Sequence, residues 1–153
     1  MKTQIILIVV AVLVAIQFIR TRPNDGVADT PRDITHAVQV PANVMQVLKT
    51  SCYDCHSNRT TYPWYSRINP VGWWLDHHIK EGKEELNFSE FAAYDRKRQD
   101  HKLEETAEEV QEGHMPLPPY LFTHEEAKLS PAQVRLIADW VKSERAGLGV
   151  SGK

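Results

Sequence analysis

The chain has 153 residues, a formal net charge of −2 at pH 7 and only two cysteines. A charge so near balance argues against a nucleic-acid partner. Two thiols alone cannot complete a four-ligand zinc site.

Lys2 is followed by an unbroken apolar run from Ile5 to Ile16, then Gln17, Phe18, Ile19 and the basic residues Arg20 and Arg22. As a helix, Ile5 to Ile19 rises about 22 Å, against a hydrocarbon core of about 30 Å. That is short for a span and long for the core of a signal peptide. The run is apolar on every face, unlike a helix that packs one stripe against a core. Gly26-Val27-Ala28 is the small-x-small triplet nearest to it, and Arg20, Arg22 and Pro23 lie between. Residues 1–22 are therefore expected to form an uncleaved N-terminal membrane anchor, the alternative being a signal whose removal leaves a protein secreted to the periplasm. Either reading exports the remainder of the chain.

Residues 23–40, polar and punctuated by Pro23, Gly26 and Pro31, read as a linker. The stretch 41–147 is roughly 105 residues, the size of one small domain, and 148–153 reads as a flexible tail. Val44, Val47 and Leu48 stand at i, i+3, i+4 behind Pro41, which predicts a short helix running into the cysteines. The next segment, NRTTYPWYSRINPVGWW, is rich in turn formers and reads as loop or a single helical turn, followed by a short helix around Trp73–Ile79. Asn87-Phe88-Ser89 reads as a helix entry, with Phe91, Ala92 and Tyr94 on its buried face. Leu103, Ala107 and Val110 form an i, i+4, i+7 stripe backed by Glu104, Glu105, Glu108, Glu109 and Glu112, so a helix with a glutamate-rich face is expected. GHMPLPPYLF breaks helix. Ser130-Pro131-Ala132-Gln133 combines a capping box with proline at the first helical position, and Val134, Ile137, Trp140 and Val141 follow on one face. No useful strand alternation occurs, and the domain reads as all-α.

Both cysteines lie in SCYDCHSN, residues 51–58. Three chemistries use their spacing: a dithiol couple, half of a zinc site, or covalent haem attachment. Zinc needs a second pair of ligands, and neither another CxxC nor a paired-histidine spacing follows. A thioredoxin-like dithiol belongs in a βαβ pattern, which is absent. On a helical turn Cys52, Cys55 and His56 share one face. Two thiols so placed suit the two vinyl groups along one haem edge, and the imidazole suits the iron. Cys52 and Cys55 are thus the expected attachment sites and His56 the proximal ligand of one covalent haem c. Met115, in a loop stiffened by Pro116, Pro118 and Pro119, is the leading sixth ligand because a thioether is soft and neutral. His77, His78, His114 and His124 compete with it, as does an open position. Met45 lies in the helix leading to the cysteines, on the proximal side. The aromatic residues Tyr62, Trp64, Tyr65, Trp73 and Trp74 fill a small core or wall the cofactor, with Arg67 available to a propionate.

A helix into CxxCH, a Met-Pro loop and the amphipathic segment LSPAQVRLIADWVKSE together resemble class I cytochromes c. More narrowly, SCYDCHSNRTTYPWYSRINPVGWW, HIKEGKEELNFSEF and MPLPPYLFTHEEAKLS resemble the haem-binding domain family of small exported bacterial proteins. The resemblance implies a cytochrome c-like helical fold around haem bound at Cys52, Cys55 and His56, with Met115-Pro116 matching the family's Met-Pro segment. The function expected is single-electron transfer with redox partner proteins, on the periplasmic side of a bacterial cell membrane. A haem enzyme or gas sensor with an exchangeable sixth ligand is the alternative, followed by a dithiol oxidoreductase using Cys52 and Cys55.

Overall fold

Described for residues 1–149, the computed structural model contains seven α-helices and four 3-10 turns; among the described residues Asp25 and Arg59 pair as an isolated bridge and no strand forms. The helices are α1 (Lys2–Ile16), α2 (Ala42–Ser51), α3 (Tyr53–His56), α4 (Val71–Glu85), α5 (Arg96–Gln111), α6 (Pro118–Leu121) and α7 (Pro131–Leu148). The all-α expectation holds.

The apolar stripes predicted from spacing meet in one core. Helix α5 packs along α7, and Leu103 and Val110 of the first are buried with Ile137, Trp140 and Val141 of the second. Val44, Val47 and Leu48 bring α2 into the same cluster, and Phe88 and Phe91 close it. Helix α7 starts where the capping box places it, the Ser130 side chain accepting from the Gln133 backbone. The Trp140 indole donates to the Gln39 carbonyl at 2.8 Å. Arg145 grips the Asp100 carboxylate through two nitrogens at 2.8 and 3.2 Å, tying α7 to α5 at the end remote from the cap.

Several elements differ from expectation. The helix predicted around Trp73–Ile79 continues to Glu85, because Gly82 lets it pass against α3 while Lys80, Glu81, Glu84 and Glu85 face solvent. The helix entry at Asn87 opens only a 3-10 turn, Phe88–Ala93. Residues 23–40, expected as a linker, are packed onto the domain: Asp33, Ile34 and Val38 are buried, and the Tyr53 hydroxyl donates to Asp33 at 3.4 Å. The expected tail begins later than predicted, since α7 includes Leu148 and Gly149 ends it with φ at +67°. The rest of that tail, 150–153, lies outside the described residues.

The N-terminal helix forms, yet its 15 residues fall short of the membrane-spanning helix that was expected: among the described residues no helix is long and apolar enough to cross a membrane. At the end of α1 the amides of Gln17, Phe18 and Ile19 donate to the carbonyls three residues earlier, and the Asn69 side chain takes the Ile16 and Ile19 carbonyls, both at 2.8 Å.

Candidate functional site

Helix α2 ends at Ser51, and the backbone breaks direction at Cys52, with φ at −127° and ψ at −40°. The motif therefore sits on a turn of its own, α3. The amides of Cys55 and His56 donate to the Cys52 carbonyl at 3.1 and 2.9 Å, which fixes both thiols and the imidazole on one side. Both thiols are free and half-buried.

Helix α4 holds this turn from beneath. A Cβ on Gly82 would stand 3.1 Å from the Cys55 carbonyl oxygen and 3.4 Å from His56 Cε1, so any larger residue would crowd α3 and push it back by a few tenths of an ångström. The chain then turns at Leu86, whose carbonyl lies 3.0 Å from His56 Nδ1. Nδ1 must carry the proton to make that bond, which leaves Nε2 with a free lone pair. Burial lowers the His56 pKa below its ordinary value, outweighing the backbone bonds to Leu86 and Gly82; the ring is neutral at pH 7. Burial pushes the Cys52 thiol up to about 12, aided by Cys55, and the Cys55 thiol up to about 11, aided by Asp54. Both are protonated.

Two adjoining cavities of about 260 and 340 Å³ open over this turn. Both are lined by Ser51, Cys52, His56, Glu85, Met115 and Pro116, so they are lobes of one groove. Trp74, Leu75 and Leu117 wall the first lobe; Leu86, Phe88 and Val110 wall the second. Lys102 lines the second lobe and is held by Glu105 at 2.7 Å and Glu85 at 3.2 Å. The Tyr120 hydroxyl donates to Asp54 at 3.1 Å, strapping α6 to α3 across the first lobe; burial and that carboxylate hold its phenol well above the ordinary range.

The fold thus brings four predicted residues together, Cys52, Cys55, His56 and Met115, although Met115 comes from a loop far along the chain. Of the competing histidines, His78 also lines the first lobe. His77 pairs with Glu81 at 3.2 Å, His114 lies 3.4 and 3.3 Å from Glu109 and Glu112, and His124 stacks on Tyr120; none of the three lines the groove. Met45 packs on the core instead. Neither Arg67 nor Trp73 lines the groove, and the Trp73 indole donates to the Ile19 carbonyl at 3.2 Å. Among the described residues no group of three or more His, Cys, Asp and Glu side chains is placed to hold a metal ion, which disfavours zinc. Thiols held so far above neutrality disfavour the dithiol. Sequence reasoning missed Gly82, Lys102 and Tyr120. Gly82 alone left a signal, as an isolated glycine inside a helical stretch.

Compared with known proteins, residues 11–143 match the model of a family described as the haem-binding domain. No curated protein and no solved structure matches the chain.

Proposed function

The chain belongs to the haem-binding domain family, and from that premise we propose that it is a monohaem c-type cytochrome passing single electrons outside the cytoplasmic membrane. The groove fits the cofactor. His56 is neutral with Nε2 available, and both cysteines are thiols. Each thiol can add its sulfur and hydrogen across one vinyl group to make a thioether. Met115 would offer the iron a soft, neutral second ligand. The apolar walls suit a macrocycle, and the two lobes together fall within the ~300–1,000 Å³ of cofactor sites. Lys102 offers a propionate its charge. Bound haem supplies an iron that gains and loses one electron. The chain's residues hold it, keep water from it and set its potential, with no acid–base step to perform.

One observation carries this reading: Cys52, Cys55 and His56 occupy one face of a single turn, in the groove that Met115 also lines. Denaturing electrophoresis of the haem-matured protein tests it. Haem should stay with the polypeptide, and Cys52→Ala with Cys55→Ala should release it. Two titratable thiols in matured protein would instead return the dithiol reading. The sharing of the groove by His78 and Met115 favours one second reading, a sensor or enzyme with an exchangeable sixth ligand. Rapid carbon monoxide binding by the reduced wild type would select it.

Helix α1, apolar on all sides with no buried residue, is read as the membrane anchor, with the groove on the periplasmic side. Its shortfall against a full span is of the kind met by local thinning and by snorkelling of Lys2 and Arg20. An anchored product should fractionate with membranes, resist high-salt washing and retain Ile5. A soluble product starting near Asp29 would show cleavage instead.

A further inference from the structure

The end of α1 is stitched to the domain rather than hung from it. Asn69, itself buried, donates through its side-chain amide to the Ile16 and Ile19 carbonyls at 2.8 Å each. Its backbone N–H donates to Gln17 Oε1, and its carbonyl accepts from Gln17 Nε2, both at 2.9 Å. Trp73 Nε1 donates to Ile19 at 3.2 Å, and Arg20 donates to the Arg67 carbonyl at 3.0 Å. Carbonyls in the last turn of a helix have no partner within it, and lipid supplies none. Here Gln17 and Phe18 serve the Leu13, Val14 and Ala15 carbonyls, and the domain supplies partners for Ile16 and for Ile19 just beyond it. The corner formed by residues 64–74 is thereby fixed at the foot of the apolar helix.

That corner is covered with apolar side chains. Phe18 and Trp64 are 82% and 77% exposed, with Ile68, Val71 and Trp74 beside them in the chain. Phe122, 88% exposed, joins them from α6: its neighbour Thr123 donates to the Tyr65 hydroxyl at 3.1 Å, and Trp64 meets the Tyr65 ring edge-on. Exposed apolar residues scattered singly are ordinary; a set gathered around one corner is not. The patch is continuous with α1, contains two tryptophans and is flanked by Arg20 and Arg67. Tryptophan favours the lipid–water interface, and arginine favours anionic headgroups.

We propose that this corner seats the domain in the headgroup layer of the membrane, an inference that rests on reading α1 as the anchor. Trp74 belongs to the corner and also walls the first lobe of the groove. The seated domain therefore presents that end of the groove to the membrane surface, while the glutamate-rich face of α5 stays in water.

The test uses the haem-matured full chain in vesicles of phosphatidylcholine and phosphatidylglycerol doped with a headgroup-diazirine phospholipid, followed by peptide mass spectrometry. Labels are expected on Trp64, Ile68 and Phe122 as well as at the two ends of α1, and absent from His101 and Glu108. Trp64→Ser combined with Phe122→Ser, two exposed positions, should abolish labelling at Ile68 and Val71 without reducing that of α1. Labels confined to α1 would overturn the seating and leave the anchor standing. Failure of the chain to float with the vesicles would overturn both. Unlabelled Trp64 and Phe122 cross-linked between copies would assign the corner to a second chain and overturn the lipid.

Discussion

The identity of the sixth ligand turns on a single side chain. Held by His56 and the Met115 thioether, as proposed, the iron would be low-spin with no vacant position, and methionine raises the potential relative to a second imidazole. Oxidised wild-type protein should show a weak red sulfur-to-iron band, and the reduced protein should bind carbon monoxide slowly. Met115→Ala should admit carbon monoxide, and Met115→His should stay six-coordinate at a lower potential. An unchanged Met115→Ala spectrum would move the assignment to His78, the one competing histidine in the groove. The cysteines carry a second prediction. Their raised pKa values, about 12 and 11, keep them neutral at pH 8, and the thiolate is the reactive form. Folded apoprotein should react with iodoacetamide far more slowly at pH 8 than the same protein in denaturant. Equal rates would show that the fold does not protect them.

Helix α4 fixes where the Cys52–His56 turn sits, and α6 straps it from the other side. Gly82→Ala would bring a Cβ to 3.1 Å from the Cys55 carbonyl, backbone that cannot rotate away. Against the gain from removing a helical glycine, overpacking of this kind costs about 1–3 kcal/mol. Gly82→Ala should therefore lower the denaturant midpoint and displace α3, so that less of the protein matures with haem. Tyr120→Phe deletes one hydrogen bond to Asp54 and leaves that carboxylate still accepting from the Thr61 amide at 2.9 Å. The loss should be about 1 kcal/mol, read by urea unfolding of the apoprotein. No measurable change would show that α6 does not rely on this strap.

The folding unit of the whole molecule extends further toward the N-terminus than its helices suggest. Ile34 is wholly buried among Phe88, Phe91 and the helix faces, so residues 23–40 stabilise the domain as well as connecting it to α1. Ile34→Ala should cost about 2–5 kcal/mol, the range for large-to-small changes in a packed core. A chain beginning at Pro41 loses Ile34, Val38 and the Asp33–Tyr53 bond together. It should fail to unfold cooperatively, a loss of melting transition that circular dichroism would detect. A chain beginning at Arg20 keeps these residues and should melt as one unit.

Periodicity along the chain was enough to determine the helical class, the start of α7 at its capping box, and the faces that α2, α5 and α7 bury. Those features depend on neighbours three and four residues apart, which sequence spacing records directly. The placement of Cys52, Cys55 and His56 on one face is local in the same sense. The arrival of Met115 and His78 in one groove was left to the tertiary structure, as was the exclusion of His77, His114 and His124. So were the free Nε2 of His56, set by the distant Leu86 carbonyl, and the role of Lys102. The polar composition of residues 23–40 concealed Ile34 and Val38, whose burial depends on 3-10 turns too short to leave a period. The apolar run announced α1, but the grip of Asn69 on its last carbonyls joins residues some fifty positions apart. Contacts across such separations are chosen by packing and hydrogen-bond satisfaction in the assembled core, and no local pattern encodes them.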